Sequence, residues 1–213
     1  MDILTIQILS FLFLPLLSFI VLIFKGKFFN QRSHFIALPL IGVTLITSIL
    51  FLIKSLTNHH FEINKTFKWF STGDFTVSLG CFVDNVTCIM LVVVSLISFL
   101  VHLYSIEYMK DDPRYSRYFA FLGIFTFSMN GIILSDSLIM MYIFWELVGL
   151  SSFLLIGFWF ENDKPPLAAN KAFLTNRVGD IGMFIGIMIL YFHVGSFNIN
   201  DIVNGVNDMG SAQ

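Results

Sequence analysis

The stretch "FWELVGLSSFLLIGFW", residues 144–159, sets a glutamate, Glu146, inside a run with no other charge; Ser137 to Phe160 contains no second Asp, Glu, Lys or Arg. At about 1.5 Å rise per residue this run is long enough to cross the ~30 Å hydrocarbon layer of a bilayer. An Asp, Lys or Arg at the centre of such a helix costs roughly 2.5–3.5 kcal/mol on insertion scales, so ionisable groups there face a bundle interior or a hydrated path. Glu146 falls under the same rule. Asp136 marks the start of the span ten residues earlier, and ten residues is about half the membrane, which favours an interior position for Glu146 over a boundary one.

The rest of the chain has the same character. Of its 213 residues 56% are hydrophobic and 12% charged, against roughly 45–50% and about 25% in soluble domains. Ile3–Phe24, Ser33–Ile53, Asn85–Ile106, Tyr118–Ser135 and Ile181–Asn200 carry no charge, and Leu167–His193 is interrupted only by Lys171, Arg177 and Asp180. The pattern predicts an all-α polytopic membrane protein, one membrane domain over 1–213, with six spans at 3–24, 34–53, 84–106, 116–135, 137–160 and 167–193. An external loop at 54–83 and an external polar tail at 194–213 complete it. The first span reads as retained, not as a cleaved signal: Asp2 and no cation precedes it, while Lys25, Lys27 and Arg32 follow it. With the N terminus outside, the inner loops hold Lys25, Lys27, Arg32, Lys110, Arg114, Arg117, Lys164 and Lys171, against Lys54, Lys65 and Lys68 outside, as the positive-inside rule asks.

Several function classes drop out. A net charge of -2 makes no case for nucleic acid. Cys81 and Cys88 lack zinc or iron–sulfur spacing and read as small apolar filler near the third span. Nucleotide, flavin and haem-attachment motifs are absent from the sequence, so no cofactor is expected on this chain and any redox centre lies elsewhere. In the external loop, residues 66–70 and 75–79 are short aromatic or alternating runs separated by Ser71-Thr72-Gly73-Asp74, which reads as a hairpin with Trp69 suited to the membrane interface. His59-His60 has no companion ligands and reads as solvated rather than metal-binding.

The polar residues inside the spans carry the functional signal. Glu146 shares a helical face with Gly149, Phe153 and Gly157, and glycines beside an acid permit close helix approach. In the sixth span Asn170, Phe173, Arg177, Asp180 and Phe184 share a face, with Arg177 and Asp180 spaced i, i+3 for direct pairing. Gly179, Gly182 and Gly186 lie opposite and suggest a packing face. A movable cation beside Glu146 and Asp180 could switch their protonation; a structural salt bridge is the plainer use of Arg177. His102 and Lys171 are candidate relay residues, His102 because imidazole titrates near neutral pH, although a lone histidine in a span more often makes one interhelical hydrogen bond.

"MLVVVSLISFLVHLYSIEYM", "YSRYFAFLGIFTFSMNGIILSDSLIMMYIFWELVGLSSFLLIGFW" and "AANKAFLTNRVGDIGMF" resemble chain 5 of the proton-pumping NADH:quinone oxidoreductase of respiratory complex I, an antiporter-like family. His102-Leu103-Tyr104-Ser105 and Trp145-Glu146 with Val148-Gly149-Leu150 are the most distinctive matches. The resemblance implies an essential acid on the fifth helix, Glu146, and an Arg/Asp pair on the sixth, Arg177 and Asp180. It also implies a subunit of a proton-translocating NADH:ubiquinone reductase, whose NADH, flavin, iron–sulfur clusters and quinone act on other chains. Expected partners are the other membrane subunits of complex I, lipid, and a separate polypeptide carrying the remaining chain 5 helices, since this chain presents an incomplete antiporter-like fold. The lysine that partners the glutamate in the family has no counterpart here: Lys171 lies before Arg177 and off its face, near the inner surface. Two further readings stay open: a subunit of a multisubunit cation/proton antiporter or related ion-coupled complex, and a non-conducting structural subunit. The 26 phenylalanines suggest the mitochondrial inner membrane, with a bacterial plasma membrane as the alternative.

Overall fold

A computed structural model describes residues 3–57, 61–72 and 75–211, with side chains described over most of them. Helices α1 (Ile3–Phe29) and α2 (His34–Thr57) are joined by a 3-10 turn at Asn30–Arg32, and a hairpin of β1 (Ile63–Thr72) and β2 (Phe75–Val83) follows. Then come α3 (Asn85–Tyr108), α4 (Tyr115–Leu134), α5 (Leu138–Ile156), α6 (Lys164–Val194) and α7 (Ile199–Ser211). The first six helices are each long and apolar enough to span a bilayer.

The helix ends follow local chemistry. Asp84 caps α3, its carboxylate accepting from Thr87 N at 2.7 Å, and Ser137 caps α5 through Met140 N at 3.4 Å; each satisfies an amide that the first helical turn leaves without a partner. α6 stops at Gly195, whose φ of 78° is the left-handed conformation glycine tolerates best, with its N–H returning to Tyr191 O at 2.7 Å.

α4 is the inner helix. Ala120 and Gly123 let α1 approach closely: a Cβ on Gly123 would stand 3.1 Å from Pro15 O and 3.2 Å from Phe19 N. Pro15 has no N–H to offer the carbonyl one turn back, that of Phe11. Asn130 of α4 fills the vacancy, donating from Nδ2 to Phe11 O at 2.8 Å. One apolar cluster gathers Phe11, Phe51, Val83, Leu91 and Leu134; a second gathers Leu22, Ala37, Tyr115, Phe119 and Phe158. By contrast Val178, Ile181 and Phe192 of α6 point outward at 73%, 61% and 83% exposure, the arrangement expected where lipid or other helices are the solvent.

The hairpin is antiparallel, pairing Ile63 with Val83 and Thr72 with Phe75, and its register shifts between Lys68 and Phe70. Both strands extend beyond the short runs visible in the sequence. The expected turn at Gly73-Asp74, the His59-His60 pair and the side chain of Trp69 lie outside the described residues. The stretch read as a polar tail forms the amphipathic helix α7; its polarity hid a helical apolar stripe. Leu138 N donates to Phe197 O (2.9 Å) and Ile199 N to Asp136 O (3.0 Å), fastening α7 to the α4–α5 turn. Asp136 is buried there, one carboxylate oxygen filling the space that any side chain at Gly80 would need.

Candidate functional site at the α5–α6 crossing

α5 and α6 meet along the face that carries Glu146. Gly157 faces Ala169, a Cβ on the glycine falling 3.2 Å from that of the alanine. One turn on, the rings of Phe153 and Phe173 pack at 5.3 Å. Next, a Cβ on Gly149 would lie 3.9 Å from Arg177 Nη2, and Arg177 Nη1 forms a direct ion pair with Glu146 Oε2. The helical period that groups residues 146, 149, 153 and 157 thus brings all four against α6.

Arg177 is the hub. Besides Glu146 its Nη1 reaches Asp180 Oδ2 at 3.7 Å, and its guanidinium lies 4.4 Å from the centre of the Phe173 ring. One cation therefore stands between two carboxylates on different helices, with an aromatic face beneath it. The sequence pairs Arg177 with Asp180 on its own helix; in the fold the guanidinium also meets Glu146 of α5. Trp145 supplies a further group that sequence reasoning missed: its Nε1 donates to Asp180 Oδ1 at 3.1 Å. A donor-only indole in a span must find an acceptor, and that was the signal available in the sequence. A cavity of about 540 Å³, lined by Trp145, Gly149, Asn176, Gly179 and Asp180 among others, opens beside the cluster.

The other candidates stand apart from it. His102 is fully buried in α3, with Nδ1 donating to Ser98 O at 2.8 Å, which leaves Nε2 as an acceptor without a partner among the described residues. Ser98 in turn bonds Thr126 of α4 at 2.6 Å, so this polar node ties α3 to α4 and, among the described residues, shares no hydrogen bond or ion pair with Glu146, Arg177 or Asp180. Lys171 is exposed on α6, its carbonyl accepting from Thr175 Oγ1, and stays outside the cluster. Gly179, Gly182 and Gly186 have open space where a packing partner was expected: α6 packs on α5 through its opposite, charged face. Among the described residues no group of three metal-ligating side chains forms.

Comparison with known proteins settles the lineage. Residues 69–119 match the sequence model of the family described as NADH-ubiquinone oxidoreductase (complex I), chain 5 N-terminus, and residues 135–213 match that of the NADH:quinone oxidoreductase/Mrp antiporter transmembrane region. The chain belongs to the chain 5 family of antiporter-like membrane subunits. It is 44% identical over 178 residues to a chloroplastic NAD(P)H-quinone oxidoreductase subunit 5 from Chlorokybus atmophyticus, covering 84% of this chain and 27% of the relative. Against chain 5 of the enzyme from a Picosynechococcus species the identity is 40% over 205 residues, covering 93% of this chain and 31% of that one. The chain therefore spans less than a third of the length of these curated relatives. Its fold is that of two solved respiratory or antiporter assemblies: the membrane-bound sulfane sulfur reductase, an archaeal respiratory membrane complex (TM-score 0.79, 14% identity, 94% of this chain and 40% of the other), and the Mrp complex of a Dietzia species (TM-score 0.75, 17% identity, 94% and 21%).

Proposed function

We propose that this chain contributes a proton-translocating site to a membrane-bound NADH:ubiquinone oxidoreductase, with Glu146, Arg177 and Asp180 as the working residues. The observation that carries the reading is one guanidinium shared by two acids across the α5–α6 crossing. With Arg177 against Glu146 the acid is held as a carboxylate. When the guanidinium moves fully onto Asp180, a distance already bridged to 3.7 Å, Glu146 loses its counter-charge in apolar surroundings and takes up a proton. The return of Arg177 expels that proton. Gly149 leaves the room this movement needs, because no side chain stands between Arg177 and the α5 backbone. Electron transfer through NADH, flavin, iron–sulfur clusters and quinone belongs to other chains of the complex, and further membrane helices of the assembly cover the open face of α6.

The phenylalanine-rich composition supports the mitochondrial inner membrane as the location, and fractionation against plastid markers tests it. Charge bias supports an external N terminus: a cysteine introduced at Asp111 should resist membrane-impermeant reagent from outside. The decisive experiment is Glu146→Gln, which keeps the volume and cannot ionise. NADH-driven proton pumping in sealed vesicles, normalised to assembled complex on native gels, should be abolished while assembly stays near normal. Unchanged pumping per complex would leave the non-conducting structural reading.

A further inference from the structure

At the end of the bundle away from the hairpin, Arg114 and Arg117 stand between two cavities. One, of about 330 Å³, is walled by Phe121, Phe153, Leu154, Phe158, Phe160 and Pro166; the other, of about 220 Å³, runs along Leu22, Ile23 and Gly26 of α1. Both arginines line both cavities. Three of the neighbouring acids, Asp112, Glu161 and Glu107, are already engaged. Asp112 accepts from Arg114 N at 2.8 Å and from Trp159 Nε1 at 2.8 Å, and Glu161 stands 3.6 Å from Arg114 Nη1. Lys110 is matched by Glu107 at 3.3 Å. Arg117 is exposed and has no ion pair or hydrogen bond from its side chain among the described residues.

The depth of this place is marked by aromatic side chains. Tyr104 stacks on Tyr108 at 5.5 Å, Tyr108 packs on Trp159 at 6.2 Å, and Phe160 covers Arg114 at 4.5 Å. Such a belt lies at the level of lipid headgroups. An unmatched guanidinium at that level, with apolar slots on both sides, presents the chemistry of a phosphate-headed amphiphile: charge-assisted hydrogen bonds for the phosphate and greasy walls for its chains. We infer that Arg117, beside the aromatic-clamped Arg114, forms a binding site for an anionic phospholipid, whose acyl chains occupy the cavities against Phe153–Phe158 and against the end of α1.

The inference is independent of the proton-transfer reading and is tested without activity. The assembled complex is exchanged into nanodiscs of phosphatidylglycerol or of phosphatidylcholine, with a photo-crosslinking amino acid at Asn170, an exposed residue on the wall of the larger cavity. Expected is a covalent phosphatidylglycerol adduct on this chain, reduced about fivefold by Arg117→Gln, the loss of one surface cation's attraction, and restored by Arg117→Lys. Inorganic phosphate should not displace it, since phosphate lacks the chains. Equal labelling in Arg117→Gln, equal labelling by phosphatidylcholine, displacement by phosphate, or a crosslink to a protein subunit in place of lipid would each overturn the assignment.

Discussion

Trp145 and Arg177 hold opposite oxygens of one carboxylate: the indole N–H donates to Asp180 Oδ1 at 3.1 Å while the guanidinium stands 3.7 Å from Oδ2. Asp180 is thereby anchored to α5 by a neutral donor, and Arg177 is left free to serve Glu146 as well. Hydrogen bonds to charged groups contribute roughly 1.5–3 kcal/mol. Trp145→Phe keeps the ring and deletes the donor, so Asp180 should draw Arg177 away from Glu146. Assembly should stay near normal while the pH profile of pumping shifts. A profile identical to that of the unaltered complex would show that Asp180 does not need the indole.

Asn130 and Pro15 form a second dependency. The proline frees Phe11 O and the asparagine occupies it. Asn130→Ala should destabilise the α1–α4 pair by about 1–3 kcal/mol, the cost of a buried acceptor left without a partner. In a Pro15→Ala background the helix can close its own hydrogen bond, and the same change should cost less. A double-mutant cycle on thermal unfolding in detergent measures the difference; additive effects would mean that the side-chain bond is not compensating for the proline.

Much of this was legible in the sequence because a bilayer leaves few choices. Charge-free runs of sufficient length must be helices, and the face shared by Glu146, Gly149, Phe153 and Gly157 follows from helical period alone. What was not legible depends on how helices approach one another. That Arg177 meets Glu146 as well as Asp180 is set by the α5–α6 crossing, since i, i+3 spacing sees only the partner on its own helix. The role of Trp145 is hidden because an indole reads as apolar bulk. α7 escaped because its polar residues outnumber its apolar stripe, and the glycines at 179, 182 and 186 find no neighbour among the described residues, because glycine permits close packing without supplying the partner.

Arg177→Ala removes the shared cation and leaves two acids facing each other across the crossing. Breaking a buried pair in this way typically costs about 3–5 kcal/mol, and the lower end applies here because 32% of the Arg177 side chain remains exposed. Assembly and pumping should both fall. Combining Arg177→Ala with Glu146→Gln and Asp180→Asn removes the repulsion and should restore assembled complex on native gels without restoring pumping. Failure of the charge-free combination to recover assembly would locate the damage in the lost stacking of Arg177 on Phe173 instead.

Outside the membrane, the hairpin and the α4–α5 turn meet at Cys81 and Asp136. Cys81 pairs with Ser135 in an isolated bridge. Its thiol is pushed up to about 11, first by burial and then by the neighbouring Asp136 carboxylate. Burial also raises Asp136 above the ordinary carboxylate range. For an acid raised on folding, its contribution to stability is present at low pH and is lost as pH rises through the folded value. The hairpin should therefore be held most firmly at low pH and loosen as pH rises through the raised value of Asp136. Two measurements follow from the same contact. Alkylation of Cys81 should stay slow through neutral pH and accelerate only near its raised value, because the thiolate is the nucleophile. Asp136→Asn removes the charge that opposes thiolate formation, so the alkylation profile should move to lower pH, and protease resistance of the hairpin should lose its acid dependence. An unmoved alkylation profile in Asp136→Asn would mean that burial alone governs the thiol.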